Sequence, residues 1–310
     1  MRYTKSMFNQ QTPTPLHQTP RYGKVDVPAV SEETLERFHD LYSRSVEGAP
    51  DIHALVLGAT PELRDIVLSY GHQLTTVDRD EEALQAKTRQ MHYRDHPNEQ
   101  IIVSDWFNMH LPKNYYDVVL GDGVLTALPK DDQTELLDIL HETLKPTGFL
   151  LLREGAVLHS RPRYAPSRHI HEYRSGQYNL FDLFFGLQLY NQNFKSIDVT
   201  TRRTKLAEFT EKINEYFENG LLSEIEHKQL LSIGDELEHT LLHKEDLESL
   251  LKRLFFPKDV IHDIGSGHLS PWYFFLTQPN SPIAFPEHVP ARGPNRVTEY
   301  FATASAANQD

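Results

Sequence analysis

The chain has 310 residues, 39% of them hydrophobic, with 31 Lys and Arg against 44 Asp and Glu for a formal net charge of -13. That length and apolar content can build one large α/β unit or two smaller ones, while the acidity argues against wrapping duplex nucleic acid, whose phosphates it repels. There is no cysteine, which excludes disulfides, thiolate zinc sites and cysteine nucleophiles and fits a reducing compartment. No apolar run is long enough for a signal peptide or a membrane span, so a soluble, cytoplasmic protein is expected.

Residues 1–30, rich in Pro, Gln and Thr, read as an N-terminal arm with Tyr3, Phe8 and Tyr22 as candidate anchors. Ser31 then has the character of an N-cap, and Leu35, Phe38, Leu41 and Tyr42 fall on one helical face. From Ala54 the pattern becomes strand–helix alternation. Ala54–Leu57 is a short apolar strand ended by Gly58; Thr60 can cap the next helix, and Pro61 fits its first turn, where a missing N–H costs nothing. Leu74–Val77 is a second strand ending at Asp78, with Asp80 as cap of the following helix. Ile101–Val103 is a third, ending at Asp105. Asp117–Leu120 is a fourth, ending in Gly121, Asp122 and Gly123. Asp132 and Glu135 have capping-box spacing ahead of a helix with Leu136, Leu137, Leu140 and Leu144 inward. Residues 145–148 read as a turn, and Phe149–Leu152 as a fifth strand. Five short apolar strands separated by helices imply a parallel sheet covered on both faces.

Beyond about residue 157 the alternation stops. Residues 178–192 are aromatic and helical in pattern; Leu206, Phe209, Ile213 and Phe217 mark another helix, and Ser223 with Glu226 forms a capping-box pair before Leu230. Leu247, Leu250, Leu251 and Leu254 give one more helix, stopped near Pro257. Val260–Ile264, a Gly-Ser-Gly turn and Trp272–Leu276 then read as a closing β-hairpin. The expected organisation is an arm over 1–30, a core over 31–157, a helical cap over 158–256, a closing hairpin over 257–280 and an extended tail over 281–310. The fold class is α/β: a doubly wound, seven-stranded, mostly parallel sheet with a helical insertion before its last two strands.

In an open parallel sheet a ligand sits beyond the carboxyl ends of the strands. The residues there are Gly58, Ala59, Thr60, Pro61 and Glu62; Asp78; Asp105 and Trp106; and Gly121, Asp122 and Gly123. Any one aspartate is accounted for as a turn former or cap. Asp78, however, lies 20 residues after Gly58, a spacing that suits a carboxylate accepting the two hydroxyls of a ribose laid over the first turn. Over roughly residues 50–155 the sequence resembles the class I S-adenosylmethionine-dependent methyltransferases, whose fold is Rossmann-like. The resemblance implies that Gly58, Ala59, Thr60 and Glu62 support the methionine part of S-adenosylmethionine. By it, Asp78, beside Arg79, takes the ribose hydroxyls. Asp105 accepts the adenine amino group, the backbone N–H of Trp106 meets a ring nitrogen, and Gly121, Asp122 and Gly123 line the cavity shared with the acceptor. One departure discriminates: the glycine-rich turn is reduced to a single glycine, and Thr60 and Pro61 crowd the backbone approach that a dinucleotide pyrophosphate needs. A sulfonium cofactor carries no phosphate at that point, and carboxylates beside it are favourable.

Methyl transfer is an in-line displacement that needs alignment and exclusion of water, with a general base only for a hydroxyl or protonated amine. Glu154 and His159 follow the fifth strand most closely, and His159 is the candidate base, against the alternative of a solvated loop histidine. Arg161, Arg163, Arg168 and Arg174 offer either a site for an acceptor carboxylate or phosphate or an exposed basic loop. Tyr178, Phe181, Phe184, Phe185 and Tyr190 offer an apolar pocket or ordinary core. His169 and His171 would share one side of a strand, and Asp235, His239 and His243 one face of a helix; solvated faces explain both, and no metal is expected. The expected function is transfer of a methyl group to a small-molecule acceptor, with no nucleic-acid or membrane partner. The alternatives are a catalytically silent cofactor-binding module of the same fold and an RNA or protein methyltransferase, the last supported by the basic stretch from Arg153 to Arg174.

Overall fold

Apolar runs of four or five residues between helices place the sheet at the centre of the molecule, and a computed structural model shows how it is wound. It describes residues 31–49, 51–233, 239–265 and 267–280. The expected arm, its aromatic anchors, the tail and Asp235 lie outside the described residues.

The elements in chain order are α1 (Glu32–Ser45), β1 (His53–Leu57), α2 (Pro61–Ser69), β2 (Gln73–Asp78), α3 (Glu81–Thr88), β3 (Glu99–Val103), β4 (Tyr116–Asp122), α4 (Lys130–Thr143) and β5 (Leu144–Val157). They are followed by α5 (Pro166–Arg174), α6 (Leu180–Leu189), α7 (Leu206–Glu218), α8 (Glu224–Ile233), β6 (Leu242–His243), α9 (Lys244–Lys252), β7 (Phe255–His262) and β8 (Trp272–Pro279). The main sheet runs β3-β2-β1-β4-β5-β8-β7, with β6 a short addition to β5. β1 to β5 are parallel neighbours, and β8 lies antiparallel between β5 and β7. This is a doubly wound, mostly parallel α/β sheet of the Rossmann-like kind, with the helical insertion ahead of the last two main strands. The chain leaves β1 toward β2 and β3 and returns on the other side as β4, so the switch point lies between β1 and β4.

The period of two in each strand divides the core between two faces. Leu55, Leu57, Val119, Leu150 and Leu152 pack with Leu136, Leu137 and Leu140 of α4 and with Leu247 and Leu251 of α9. Ala54, Val56, Val118, Leu120 and Leu151 face the other way, onto Phe38, Leu41 and Tyr42 of α1 and Leu63, Ile66 and Val67 of α2. A third apolar cluster joins α5 to α8 within the insertion, and it takes in Phe184, Phe185 and Tyr190, so most of the aromatic stretch is core. Coverage is incomplete at one place. Ile101 and Val103 of the edge strand β3 are exposed, because only a single 3-10 turn, Trp106–Asn108, follows that strand before β4.

Local differences from expectation have local causes. β5 runs for 14 residues from Leu144, taking in the segment read as a turn. The helix after β4 begins at Lys130 with Pro129 at its N-cap, so Asp131 and Asp132 sit in its first turn and no capping box forms. Thr60 occupies the N-cap of α2 without a side-chain cap bond. Ser223 and Glu226 do exchange reciprocal bonds, Ser223 N–H to Glu226 at 2.7 Å and Glu226 N–H to Ser223 Oγ at 3.3 Å. Pro257 lies inside β7 rather than closing the last helix, and the hairpin loop is longer than a Gly-Ser-Gly turn, since the strands flanking it stop at His262 and restart at Trp272. His169 and His171 belong to helix α5, two residues apart, where one is buried and the other exposed. His239 and His243 lie beyond the end of α8, with His243 in β6, so they share no helix face.

β2 and β3 are tied to α2 by a buried ion pair. Arg64, fully buried, donates through Nε and Nη2 to the Glu99 carboxylate at 2.7 and 3.0 Å, and the Thr76 hydroxyl donates to the same carboxylate at 2.7 Å. Removing one partner of such a pair strands the other charge away from water. Arg64→Ala is therefore expected to cost about 3–5 kcal/mol in urea unfolding, whereas Lys228→Ala, which breaks the exposed Lys228–Glu224 pair, should leave the unfolding midpoint nearly unchanged. Equal losses for the two variants would contradict this assignment.

Candidate functional site

Register brings the predicted residues to one rim. Leu57 pairs with Val77 on one side and with Gly121 on the other, so Gly58, Asp78 and Asp122 each follow at adjacent strand ends. Asp78 pairs in turn with Val103, two residues before Asp105. Four segments far apart in the chain are thus neighbours.

Gly58 has φ 92, in the left-handed region open to glycine, and its N–H donates to the Val77 carbonyl at 2.9 Å. A Cβ placed on it would meet Asp78 Oδ2 and Thr60 Oγ1, each at 3.9 Å. The carboxylate of Asp78 therefore looks across the first turn, while its Oδ1 accepts the Asp80 N–H at 2.9 Å. Pro61 at the first position of α2 removes one donor from that helix N-terminus. Glu62, in the same turn, is buried, and its carboxyl is raised above the usual range by that burial, with a further contribution from the charge of Asp122. The two acidic groups thus feel one another across the β1/β4 boundary. Gly121 is needed for a different reason: a Cβ there would overlap Val124 Cγ2.

Asp105 caps the 3-10 turn, accepting the Phe107 N–H at 3.0 Å, and its other oxygen lies 3.8 Å from Arg79 Nη1. Arg79 is largely solvated, so this contact is weak and displaceable. The Trp106 indole turns inward and donates to the Val77 carbonyl at 3.1 Å.

Sequence reading missed the groups that hold this rim together. Arg153, read as the start of a basic stretch, is buried at 7% exposure. Its Nη1 donates to Asp122 Oδ1 at 2.8 Å and its Nε to Asp263 Oδ2 at 2.7 Å, and its guanidinium lies 4.7 Å from the centre of the Trp272 ring. Asp263 also accepts the Thr34 hydroxyl at 2.8 Å and the Gly265 N–H at 3.1 Å. Trp272 faces Gly123 as well. The only sequence signal was an arginine directly after four apolar residues, the continuation of a buried strand.

Glu154 is not exposed to any substrate. It is fully buried and accepts the N–H groups of Leu125 and Thr126 at 3.0 and 2.9 Å and the Thr126 hydroxyl at 2.8 Å. It therefore fixes the loop after β4. His159 is exposed, two residues past β5, with its ring stacked on His243 at 3.3 Å between centres. The other arginines are engaged within the fold. Arg161 donates to the His268 carbonyl and lies over Tyr190, and Arg163 donates to the Phe194 carbonyl. Arg168 lies over Tyr164, and Arg174 makes a two-pronged bond to Glu226, holding that carboxyl down at about 2.

Residues 57–152 match the family model described as a methyltransferase domain. No curated protein matches the sequence. Among solved structures, the chain is similar to the 1,6-didemethyltoxoflavin-N1-methyltransferase of Burkholderia thailandensis, solved with 1,6-didemethyltoxoflavin and S-adenosylhomocysteine. Identity is 13%, with 82% of this chain and 81% of that chain covered and a TM-score of 0.49. It is also similar to the N-methyltransferase NodS of Bradyrhizobium japonicum WM9 in complex with S-adenosylhomocysteine, at 12% identity, with 82% and 92% covered and a TM-score of 0.45.

Burial pushes the Glu154 carboxyl up to about 7, against the three donations it receives. A group raised in the folded state stabilises fully below its ordinary value of 4.5 and loses that contribution as pH rises through about 7. Unfolding free energy should therefore fall by about 3 kcal/mol on this account between pH 4.5 and 8. In Glu154→Gln that part of the slope should vanish in denaturant titrations; an unchanged slope would show that the carboxylate is comfortable in its charged form.

Proposed function

We propose, from the match of residues 57–152 to the methyltransferase-domain model, that this protein transfers a methyl group from S-adenosylmethionine to a small-molecule acceptor. The observation that carries the reading is the Asp78 carboxylate set across the Gly58 turn with Asp105 at the next strand end. The donor set fits that ligand. A ribose offers two hydroxyls to Asp78, an adenine amino group can replace Arg79 at the open oxygen of Asp105, and Pro61 leaves the turn poor in the donors a pyrophosphate requires.

When bound, S-adenosylmethionine supplies a methyl group already activated by a positive sulfur. The chain's own work is placement and dryness. Glu62, Asp78, Asp105 and Asp122 with a single buried cation, Arg153, leave the rim net acidic, which favours a cationic ligand over an anionic one. The buried Arg153 contacts hold Asp122 and Trp272 fixed on either side of Gly123 before any ligand arrives. His159 is the candidate to take a proton from a hydroxyl or ammonium acceptor, at the far end of β5. The contacts of Arg153, Arg161, Arg163 and Arg174 within the fold favour a small-molecule acceptor over an RNA or protein one.

Titration calorimetry with S-adenosylmethionine and S-adenosylhomocysteine tests the reading. Binding of both is expected, weakened about 10–100-fold in Asp78→Ala, which loses hydrogen bonds from the ribose to a charged group. Absence of binding at millimolar ligand, or full affinity in the variant, would refute it.

A further inference from the structure

The arginines first considered for acceptor recognition are engaged elsewhere, and the structure holds a different one. Arg202 lies in a turn closed by the Ile197–Thr204 bridge, at φ 61, a left-handed conformation that is strained for arginine and that glycine or asparagine adopts readily. Its backbone carbonyl accepts the Leu241 N–H at 2.9 Å, and its Nε donates back to the Leu241 carbonyl at 3.2 Å. That exchange clamps the guanidinium against the strand leading into β6. Its Nη2 is buried with no hydrogen-bond partner among the described residues.

Two residues beyond Leu241, His243 pairs with Val157 at the carboxyl end of β5 and feels the charge of Arg202. Its ring stacks on His159, and its Nδ1 is also buried without a partner among the described residues. The segment belongs to the ligand end of the sheet: Thr240 N–H donates to the carbonyl of Thr126, in the loop after β4, and Leu241 packs against Gly155. The charged groups facing this pair are Asp246 and Glu245 in the first turn of α9, which offset part of the positive charge. Burial lowers His243, and the charge of Arg202 lowers it further, so at neutral pH its ring is uncharged and can share a proton with an incoming oxygen. Lys244, next in the chain, is turned toward Glu248 and Tyr273.

We propose that Arg202 and His243, with His159 stacked beside them, form the recognition site for an anionic group of the acceptor, a carboxylate or a phosphate monoester. The inference deepens the methyltransferase reading and rests on it for the identity of the bound molecule as substrate. A guanidinium whose Nη2 lacks a partner among the described residues can pair with either anion, and a neutral imidazole alongside supplies one further bond. The acceptor thereby docks its charged end at the β5/β6 corner and extends toward Gly123 and Trp272.

The test uses the full chain, with and without saturating S-adenosylhomocysteine, titrated separately with inorganic phosphate and with acetate while the imidazole NMR signals of His243 and His159 are followed. One or both anions should move the His243 signals and raise its titration midpoint; phosphate alone assigns a phosphomonoester, acetate alone a carboxylate. Arg202→Asn, chosen because asparagine tolerates the left-handed turn, should weaken that response at least about tenfold and leave S-adenosylhomocysteine affinity within about twofold. Unmoved His243 signals with both anions, or an undiminished response in Arg202→Asn, would overturn the inference. Failure of S-adenosylhomocysteine to bind would instead count against the methyltransferase reading, since the anion response is read without it as well.

Discussion

A single buried guanidinium organises the ligand end of this sheet. Arg153 leaves β5 and joins Asp122 at the end of β4 to Asp263 beyond β7, and Asp263 is in turn held by Thr34 of α1. Four elements are fixed by one cation, at distances that leave no room for water between the charges. Removing the cation would set two carboxylates near each other in a poorly solvated place, so the arrangement stands or falls as a unit. Glu154, the next residue, points to the opposite face and anchors the loop after β4 by its two backbone N–H groups. Successive residues of one strand thus brace both sides of the rim at which β1 and β4 part.

The consequence is electrostatic as well as geometric. Asp122 is neutralised by Arg153, but Glu62, Asp78 and Asp105 add negative charge around the first turn, and the helix that begins there has a proline in place of one donor. A phosphate brought to this rim would meet like charge and few N–H groups. A cationic nucleoside would meet carboxylates suited to its hydroxyls and amine. Farther along, past the end of β5, Arg202 carries the opposite charge, clamped to the Leu241 backbone.

How much of this the sequence reveals depends on whether the cause is local. Ala54–Leu57 and Leu74–Val77 are apolar runs of strand length bounded by Gly58 and Asp78, and their burial on both faces follows directly. Strand ends, and with them the rim residues, are therefore readable. Arg153 and Glu154 are not, because charged residues after an apolar run look like the strand's exit to solvent. Only the antiparallel partner β8, more than a hundred residues later, covers them by pairing Arg153 with Phe274 and Glu154 with Tyr273. The same holds for His169 and His171, whose alternation suggested a strand until Pro166 and the packing of Ile170 set a helix. Arg202 gave no sequence signal at all, since its position depends on a turn and on the Leu241 backbone across from it.

The central claim is that the segments at 58–62, 78–80, 105–107 and 121–126 act together on one nucleoside. Hydrogen–deuterium exchange of the full chain with and without S-adenosylhomocysteine reads this directly. Slower exchange in all four segments at once, with α7 unchanged, is the result expected. Protection confined to the insertion, or to one of the four segments alone, would contradict the account.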